Sequence, residues 1–187
     1  MEDQTAISRL KQGDLNALEV LVDRYQAQAV RAAYLILYDR SQAEEVVQAA
    51  FVKIAGRIHQ FEDGRPFGPW FSRIVVNDAL KLANQQKRSV SLDEGMDPAA
   101  RQLAGWLADP NPGPELRVEQ KEARQAILVA IQSLPPGQRA AIVMKYFLDM
   151  PMAELSRETG RPLSTIKWWL RDARHRLRSL LEPTEGS

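Results

Sequence analysis

The stretch MAELSRETGRPLSTIKWWLRDARHRLRSLL, Met152 to Leu181, decides the reading of this chain. A short amphipathic run, Met152–Thr159, meets Gly160-Arg-Pro162, and a longer run, Ser164–Leu181, follows. That is helix-turn-helix spacing. Ser156 is small enough to let two helices approach, Gly160 can take the positive φ of the turn, and Ile166 can anchor the second helix. Ser164 is the expected N-cap of that helix and Pro183 its expected stop. Between residues 161 and 178 stand six bases, Arg161, Lys167, Arg171, Arg174, Arg176 and Arg178, against the single acid Asp172. Such a unit places the start of its second helix in the DNA major groove. There Ser164, Thr165, Lys167, Trp168 and Arg171, with Arg174 one turn on, would reach bases or phosphates. A helical hairpin with a solvated basic face is the alternative.

Upstream, the pattern stays helical. A helix through Val118, Ala123, Ile127, Leu128 and Ile131 is expected to stop at Leu134-Pro-Pro-Gly137. A shorter one runs from Ala141 to Phe147, broken by Asp149-Met-Pro151. In the first half, Asp14 can cap a helix whose apolar positions Leu18, Leu21, Val22, Tyr25, Ala29, Ala32, Ala33 and Ile36 follow helical spacing. Ser41-Gln-Ala-Glu44 reads as a capping box opening a second helix with Val46, Val47, Ala50, Phe51, Ile54 and Ile58 on one side. After the loop His59–Gly68, Pro69 suits the first turn of a third helix through Trp70, Phe71, Ile74 and Val75 to Lys87. No segment alternates as a strand does. The expected fold is all-α: two small helical domains, an N-terminal bundle (1–88) and a C-terminal helix-turn-helix domain (115–187). An acidic linker (89–114) with three prolines between residues 110 and 114 joins them.

The 187 residues have 44% apolar and 26% charged side chains, an ordinary globular balance that excludes wholesale disorder. With no cysteine, disulfides, zinc-thiolate sites and cysteine nucleophiles are excluded, and a reducing, cytoplasmic home is expected. The first residues lack a signal-peptide layout, and no apolar run is long enough for membrane insertion. The formal net charge of +1 is uninformative; its distribution is not. Residues 89–118 carry −3 and residues 119–187 carry +3. His59 and His175 fall in different halves with no ligand cluster beside them, so neither a metal nor another cofactor is expected. Glycine-rich phosphate loops and nucleophile–base pairs are also missing, so the chain is not expected to be an enzyme.

The segment Phe61–Arg88 interleaves aromatics with bases, the equipment for holding single-stranded DNA by stacking and backbone neutralisation. Trp70, Phe71 and Ile74 sit at core spacing. Phe61 and Phe67 flank a glycine-containing loop and are harder to assign to a core, so a stacking role stays open for them.

These residues resemble a known family. Ala43-Glu-Glu-Val-Val-Gln-Ala-Ala-Phe-Val-Lys53, Phe61, and Phe67-x-x-Trp-Phe-x-x-Ile-Val-Val-Asn77 resemble the second region of bacterial sigma factors. Leu134-Pro-Pro-Gly-Gln-Arg139, Glu154-Leu-Ser, Gly160-Arg-Pro and Ser164-Thr-Ile-Lys167 resemble their fourth. A short chain with only these two regions, over roughly residues 10–88 and 115–182, is similar to the extracytoplasmic-function (ECF) group of the sigma-70 family. The resemblance implies a subunit that binds core RNA polymerase, directs it to promoters through −10 and −35 elements, and promotes melting. It implies that Glu45, Gln48 and Lys53 face the polymerase. It also implies that Phe61, Gly64, Arg65, Phe67, Asn77 and Lys81 handle the −10 element, capturing a base from the melted single strand. Residues 164–174 would read −35 duplex. An anti-sigma factor is an expected partner, and association with the nucleoid is expected when polymerase is bound.

The recognition helix departs from the family pattern: Trp168-Trp169 replaces a common small-then-basic pair, and Asp172 stands where a base often follows. Tryptophan cannot make the bidentate guanine contact of arginine, and aspartate suits a cytosine amino group. One tryptophan is expected to pack on the core and the other to touch a thymine methyl or sugar. A stand-alone dimeric helix-turn-helix regulator is the alternative function, and a protein–protein adaptor a third; neither explains the first half.

Overall fold

Helix α1, Asp3–Lys11, buries Ala6, Ile7 and Leu10, one helical stripe. Its nine residues were not anticipated as a helix, because they are too few to establish a period. Here the structure, a computed structural model, begins; it describes residues 3–89 and 126–181. The expected linker beyond Ser89, the start of the helix after Pro114, and Pro183 lie outside the described residues. Every regular element among the described residues is helical, as the periodicity predicts.

Asp14 caps as expected: its Oδ1 accepts from the Asn16 amide at 3.1 Å, opening the 3-10 turn Leu15–Ala17. Arg9 bonds the same carboxyl at 2.5 Å and holds it below the ordinary carboxylate range. Helix α2, Leu18–Leu37, follows as the central rod. Its buried alanines, 29, 32 and 33, let α3 and α4 approach closely. It ends at Tyr38 in the left-handed region, φ 57°. For a non-glycine residue that conformation costs on the order of 1–3 kcal/mol, so surrounding contacts must offset it.

Helix α3, Arg40–Ala55, starts earlier than the capping-box reading. Asp39 is the cap: its backbone is extended, and its carboxylate accepts from the Gln42 amide at 3.0 Å. Ser41 and Glu44 therefore lie inside the helix, where Glu44 pairs with Arg40 at 2.8 Å. Serine and aspartate can each cap a helix, but only the residue whose backbone is not yet helical can serve, and here that is Asp39. Helix α4, Phe67–Ser89, closes the first half with Phe71, Val75, Val76, Ala79 and Ala83 inward and Pro69 in its first turn, as expected.

The second half begins with α5 (residues 126–132) and α6, Pro136–Ile142, with proline in its first turn. Helix α6 widens into a π turn, Val143–Phe147, closed by the Leu148 amide on the Val143 carbonyl at 3.0 Å. Helices α7, Met152–Thr159, and α8, Leu163–Leu181, form the expected helix-turn-helix. Gly160 has φ 63°, as the turn requires. The Ile166 amide bonds the Pro162 carbonyl at 3.1 Å, so α8 starts at Leu163 and Ser164 sits inside the first turn rather than at the cap.

The two halves are packed together. One apolar cluster runs through both. The Tyr38 hydroxyl donates to the Leu128 carbonyl at 3.1 Å, and the Arg139 guanidinium lies 5.2 Å over the Tyr38 ring. The buried hydroxyl is pushed well above its ordinary pKa by desolvation, so it remains a neutral donor.

Candidate nucleic-acid and polymerase interface

The loop between Phe61 and Phe67 is held from outside and beneath. Lys11 Nζ donates to the Phe61 carbonyl at 2.9 Å and to Asp63 at 2.7 Å, tying the loop to α1. Beneath it, Phe61 and Phe67 meet at 5.8 Å between ring centroids. Phe67 also packs on Tyr25, Trp70 and Phe71 at 5.2, 5.6 and 5.7 Å. The two loop phenylalanines are 3% and 2% exposed. This differs from the stacking platforms the sequence left open: both rings belong to the core under the loop. Alternating glycine and proline around them had hidden the helix that places Phe67 on the α4 core stripe. Gly64 and Arg65 are exposed at the loop's crest, where Arg65 pairs with Glu62 at 2.7 Å.

Behind the loop, the end of α3, the turn that follows it and the first four turns of α4 enclose a cleft of about 290 Å³. Lys53, Arg57, Gln60, Trp70, Asn77 and Lys81 line it, together with Asp78, which lies 3.1 Å from Lys53 and 3.7 Å from Lys81. Cations at its rim, an aromatic wall and amides that both donate and accept are a combination suited to a nucleotide. Asn77 and Lys81, expected at one site, are thus together. Arg57 and Gln60 were missed, since they follow α3 without any periodic or motif signal. Lys53 is also here rather than beside Glu45 and Gln48. Its Nζ reaches Asp78 on α4 at 3.1 Å.

The separation of Lys53 follows from helical geometry. Residues 45, 48 and 52 share one stripe of α3, and residue 53 is turned about 100° from 52. That stripe is exposed and carries Glu45, Gln48 and Val52. Val52 is 74% exposed, an apolar side chain with no partner inside the fold. The sequence reading gave Val52 no role, because a single valine off the apolar side of a helix carries no motif signal.

In the second half, α8 turns Ser164, Lys167, Trp168, Arg171 and Arg174 outward, with Thr165 half-buried beside them. The tryptophan pair is resolved. Trp168 is 57% exposed, whereas Trp169 folds back onto α6. A Cβ placed on Gly137 would come 2.8 Å from the Trp169 ring, so the helices meet there only because residue 137 is glycine. The Arg161 guanidinium covers the ring 5.9 Å above it. Asp172 also turns inward: its Oδ2 accepts from Gln138 at 2.9 Å and Arg176 at 3.0 Å. The Gln138 hydrogen bond, with Arg176 nearby, holds its carboxyl below the usual range. Ser156 does more than yield space, since its Oγ donates to the Arg161 carbonyl at 2.6 Å and closes the turn.

Two family models match the chain: Sigma-70 region 2 over residues 21–89 and Sigma-70, region 4 over residues 124–177. The chain is similar to the ECF RNA polymerase sigma factor SigW of Bacillus subtilis (strain 168), 28% identical over 181 residues that cover 94% of each chain. It is 29% identical over 185 residues to the ECF RNA polymerase sigma-E factor of Escherichia coli (strain K12), covering 98% of this chain and 96% of that one. Among solved structures, the fold resembles the sigma factor RpoE in complex with the anti-sigma factor NepR from Bartonella quintana. That match has a TM-score of 0.59 and 21% identity over 94% of this chain and 98% of that one. None of the described helices is long and apolar enough to cross a membrane.

Proposed function

The chain belongs to the sigma-70 family, in its ECF group, and from that premise we propose how its residues divide the work of promoter recognition. It is a sigma factor: it binds core RNA polymerase and promoter DNA and directs transcription initiation. Sigma factors are not enzymes, and the stand-alone regulator reading leaves the region 2 match without a role.

The observation that carries the division of labour is the cleft between α3 and α4. It sets Asn77 among Lys53, Arg57, Trp70 and Lys81, beneath a braced loop. Residues 1–88 form the half that engages polymerase and the −10 element. Extruding a base from duplex costs a few kcal/mol of stacking and pairing. A cleft that holds the base by its edge and stacks on Trp70 offsets that cost and so favours the melted state. Asn77 and Gln60 supply edge hydrogen bonds, while Lys53, Arg57, Arg65 and Lys81 neutralise the strand. Phe61 and Phe67 act from below by fixing the loop, with Gly64 at its crest. Glu45 and Gln48, with Val52 added, form the polymerase face. That stripe is polar toward the start of α3 and apolar at Val52 near its end, and it mixes polar and apolar surface as protein interfaces do.

Residues 115–187 read the −35 element. Ser164, Thr165, Lys167, Arg171 and Arg174 contact phosphates and base edges, and Trp168 contacts a thymine methyl or sugar. Residues 89–114 join the halves, so that two weak contacts act at high effective concentration when promoter spacing fits. An anti-sigma factor is the partner that restrains the chain, by likeness to the complexed neighbour, and the site of action is the cytoplasm, on the nucleoid when polymerase is bound.

The test is transcription from a fragment library of the source genome with the purified chain and sigma-free core polymerase. Defined start sites sharing two spaced upstream elements are expected. With Asn77→Ala, permanganate reactivity at those start sites should fall while co-elution with core persists. Unchanged melting would remove Asn77 from base capture. The double change Glu45→Lys and Gln48→Ala should weaken co-elution, and an unaltered complex would reject the α3 stripe.

A further inference from the structure

Helix α1 precedes residues 21–89, the segment that matches sigma region 2, yet both of its ends are tied to the loop between Phe61 and Phe67. At its end, Lys11 Nζ donates to the Phe61 carbonyl at 2.9 Å and to Asp63 Oδ1 at 2.7 Å, on the first leg of the loop. At its start, the Asp3 carboxylate accepts from the Tyr25 hydroxyl and from Arg24, both on α2. The Tyr25 ring stands where the chain leaves the loop. It packs on Phe67 at 5.2 Å, and a Cβ placed on Gly68 would come 2.8 Å from it. Helix α1 rises about 12 Å from Asp3 to Lys11, so one rigid element connects the two feet of the loop. The helix is itself anchored, since Ala6, Ile7 and Leu10 are buried. The Asp63 side chain is 74% exposed, and an ion pair so open to water adds little to overall stability. What Lys11 supplies is therefore position, its charge directed to two oxygens of the loop.

We propose that α1 braces the loop for base capture, with Lys11 as a positioning residue for promoter melting. Lys11 fixes the leg Phe61–Asp63, so that Gly64 and Arg65 meet the strand in a conformation set before DNA arrives. The proposal rests on the assignment of this loop and Asn77 to base capture. Holding the loop in advance removes its ordering from the cost of extruding a base, and that favours the melted state. Lys11 acts through the loop and does not touch the strand.

Lys11→Met removes the ammonium group and keeps a long stem, whereas Lys11→Arg keeps a cationic donor. The full chain has no native cysteine, so a nitroxide on Arg65→Cys reads motion at the crest of the loop. Its spectrum should sharpen with Lys11→Met and return toward the parent with Lys11→Arg; no change with Lys11→Met would overturn the proposal. The second readout uses holoenzyme assembled on sigma-free core polymerase, with Arg65 in place. There Lys11→Met should lower permanganate reactivity at the start sites by about threefold or more, the scale of a lost charge-assisted hydrogen bond. Co-elution with core and the urea midpoint should stay near the parent values, and Lys11→Arg should recover most of the melting. A melting loss matched by lost core binding, or one that arginine does not recover, would make Lys11 a folding residue and overturn the proposal. Asp63→Ala separates bracing from direct contact with phosphates. A brace loses one of its anchors, so melting should fall; a lysine acting on the strand would be released, and a rise would refute the brace. Asn77→Ala beside these variants tests the underlying assignment. If it lowers melting and Lys11→Met does not, the brace fails and base capture stands. If Lys11→Met lowers melting and Asn77→Ala does not, Asn77 loses its role and the brace stands.

Discussion

Replacing Phe67 with alanine separates a core role from a DNA-contact role more sharply than any other single change. The ring is 2% exposed and touches Tyr25, Phe61, Trp70 and Phe71 at centroid distances between 5.2 and 5.8 Å. Truncating such a ring removes its transfer free energy and leaves a cavity, about 3–5 kcal/mol together. Domains of this size have only about 5–15 kcal/mol of stability, so the loss is a large fraction of the total. With a urea slope of about 2 kcal/mol/M, a loss near 4 kcal/mol lowers the unfolding midpoint by about 2 M. The assay is far-UV circular dichroism in urea on the full chain, with Phe67→Leu beside it. Leucine should recover more than half of the loss, because it refills most of the volume. Were Phe67→Ala to unfold within about 0.5 kcal/mol of the parent, the ring would not be part of the core. Loss of promoter melting without loss of stability would return Phe67 to the DNA.

Gly137→Ala should destabilise the second half by about 1–3 kcal/mol, because its new methyl meets the Trp169 ring at 2.8 Å; an unchanged urea midpoint would mean α6 and α8 can part at no cost. Trp168→Ala should leave folding within about 0.5 kcal/mol of the parent and change −35 preference in a randomised promoter library, whereas Trp169→Ala should cost about 3 kcal/mol or more; equal effects on folding would contradict their different burial. The Asp172 carboxyl is held low when folded, chiefly by Gln138, so its contribution is complete above the unfolded carboxylate value and lost as pH falls through the folded one. The urea midpoint should therefore drop below about pH 4, and Asp172→Asn should flatten part of that drop; a parallel pH profile in the variant would refute the linkage.

The exposed stripe of α3 and the outward face of α8 lie on separate helices, and the nucleotide-sized cleft lies between α3 and α4. Under the proposed division of labour, polymerase, a melted strand and a duplex would meet three separate surfaces of one chain. Arg73, bonded to Glu154 and Glu158, and Asn77, bonded to Glu158, link α4 to the first helix of the helix-turn-helix.

The local pattern of the sequence was enough for the all-α fold and for the helix-turn-helix with Gly160 at its turn, whereas Asn77 came from the resemblance to sigma region 2. The first two depend on spacing along one helix or on the backbone freedom of one residue, and both are properties of a short segment. The cap of α3 was misplaced by two residues, since Ser41 and Asp39 are both good capping types and only the path of the chain after Tyr38 chooses between them. Which tryptophan turns inward, why Asp172 is engaged with Gln138, and why Phe61 and Phe67 are buried depended on partners more than 30 residues away or on other helices. The same holds for Lys53 facing α4 and for Glu158 reaching Asn77. Periodicity says that a side chain lies on a face of its own helix, but only the packing of the helices says what that face meets.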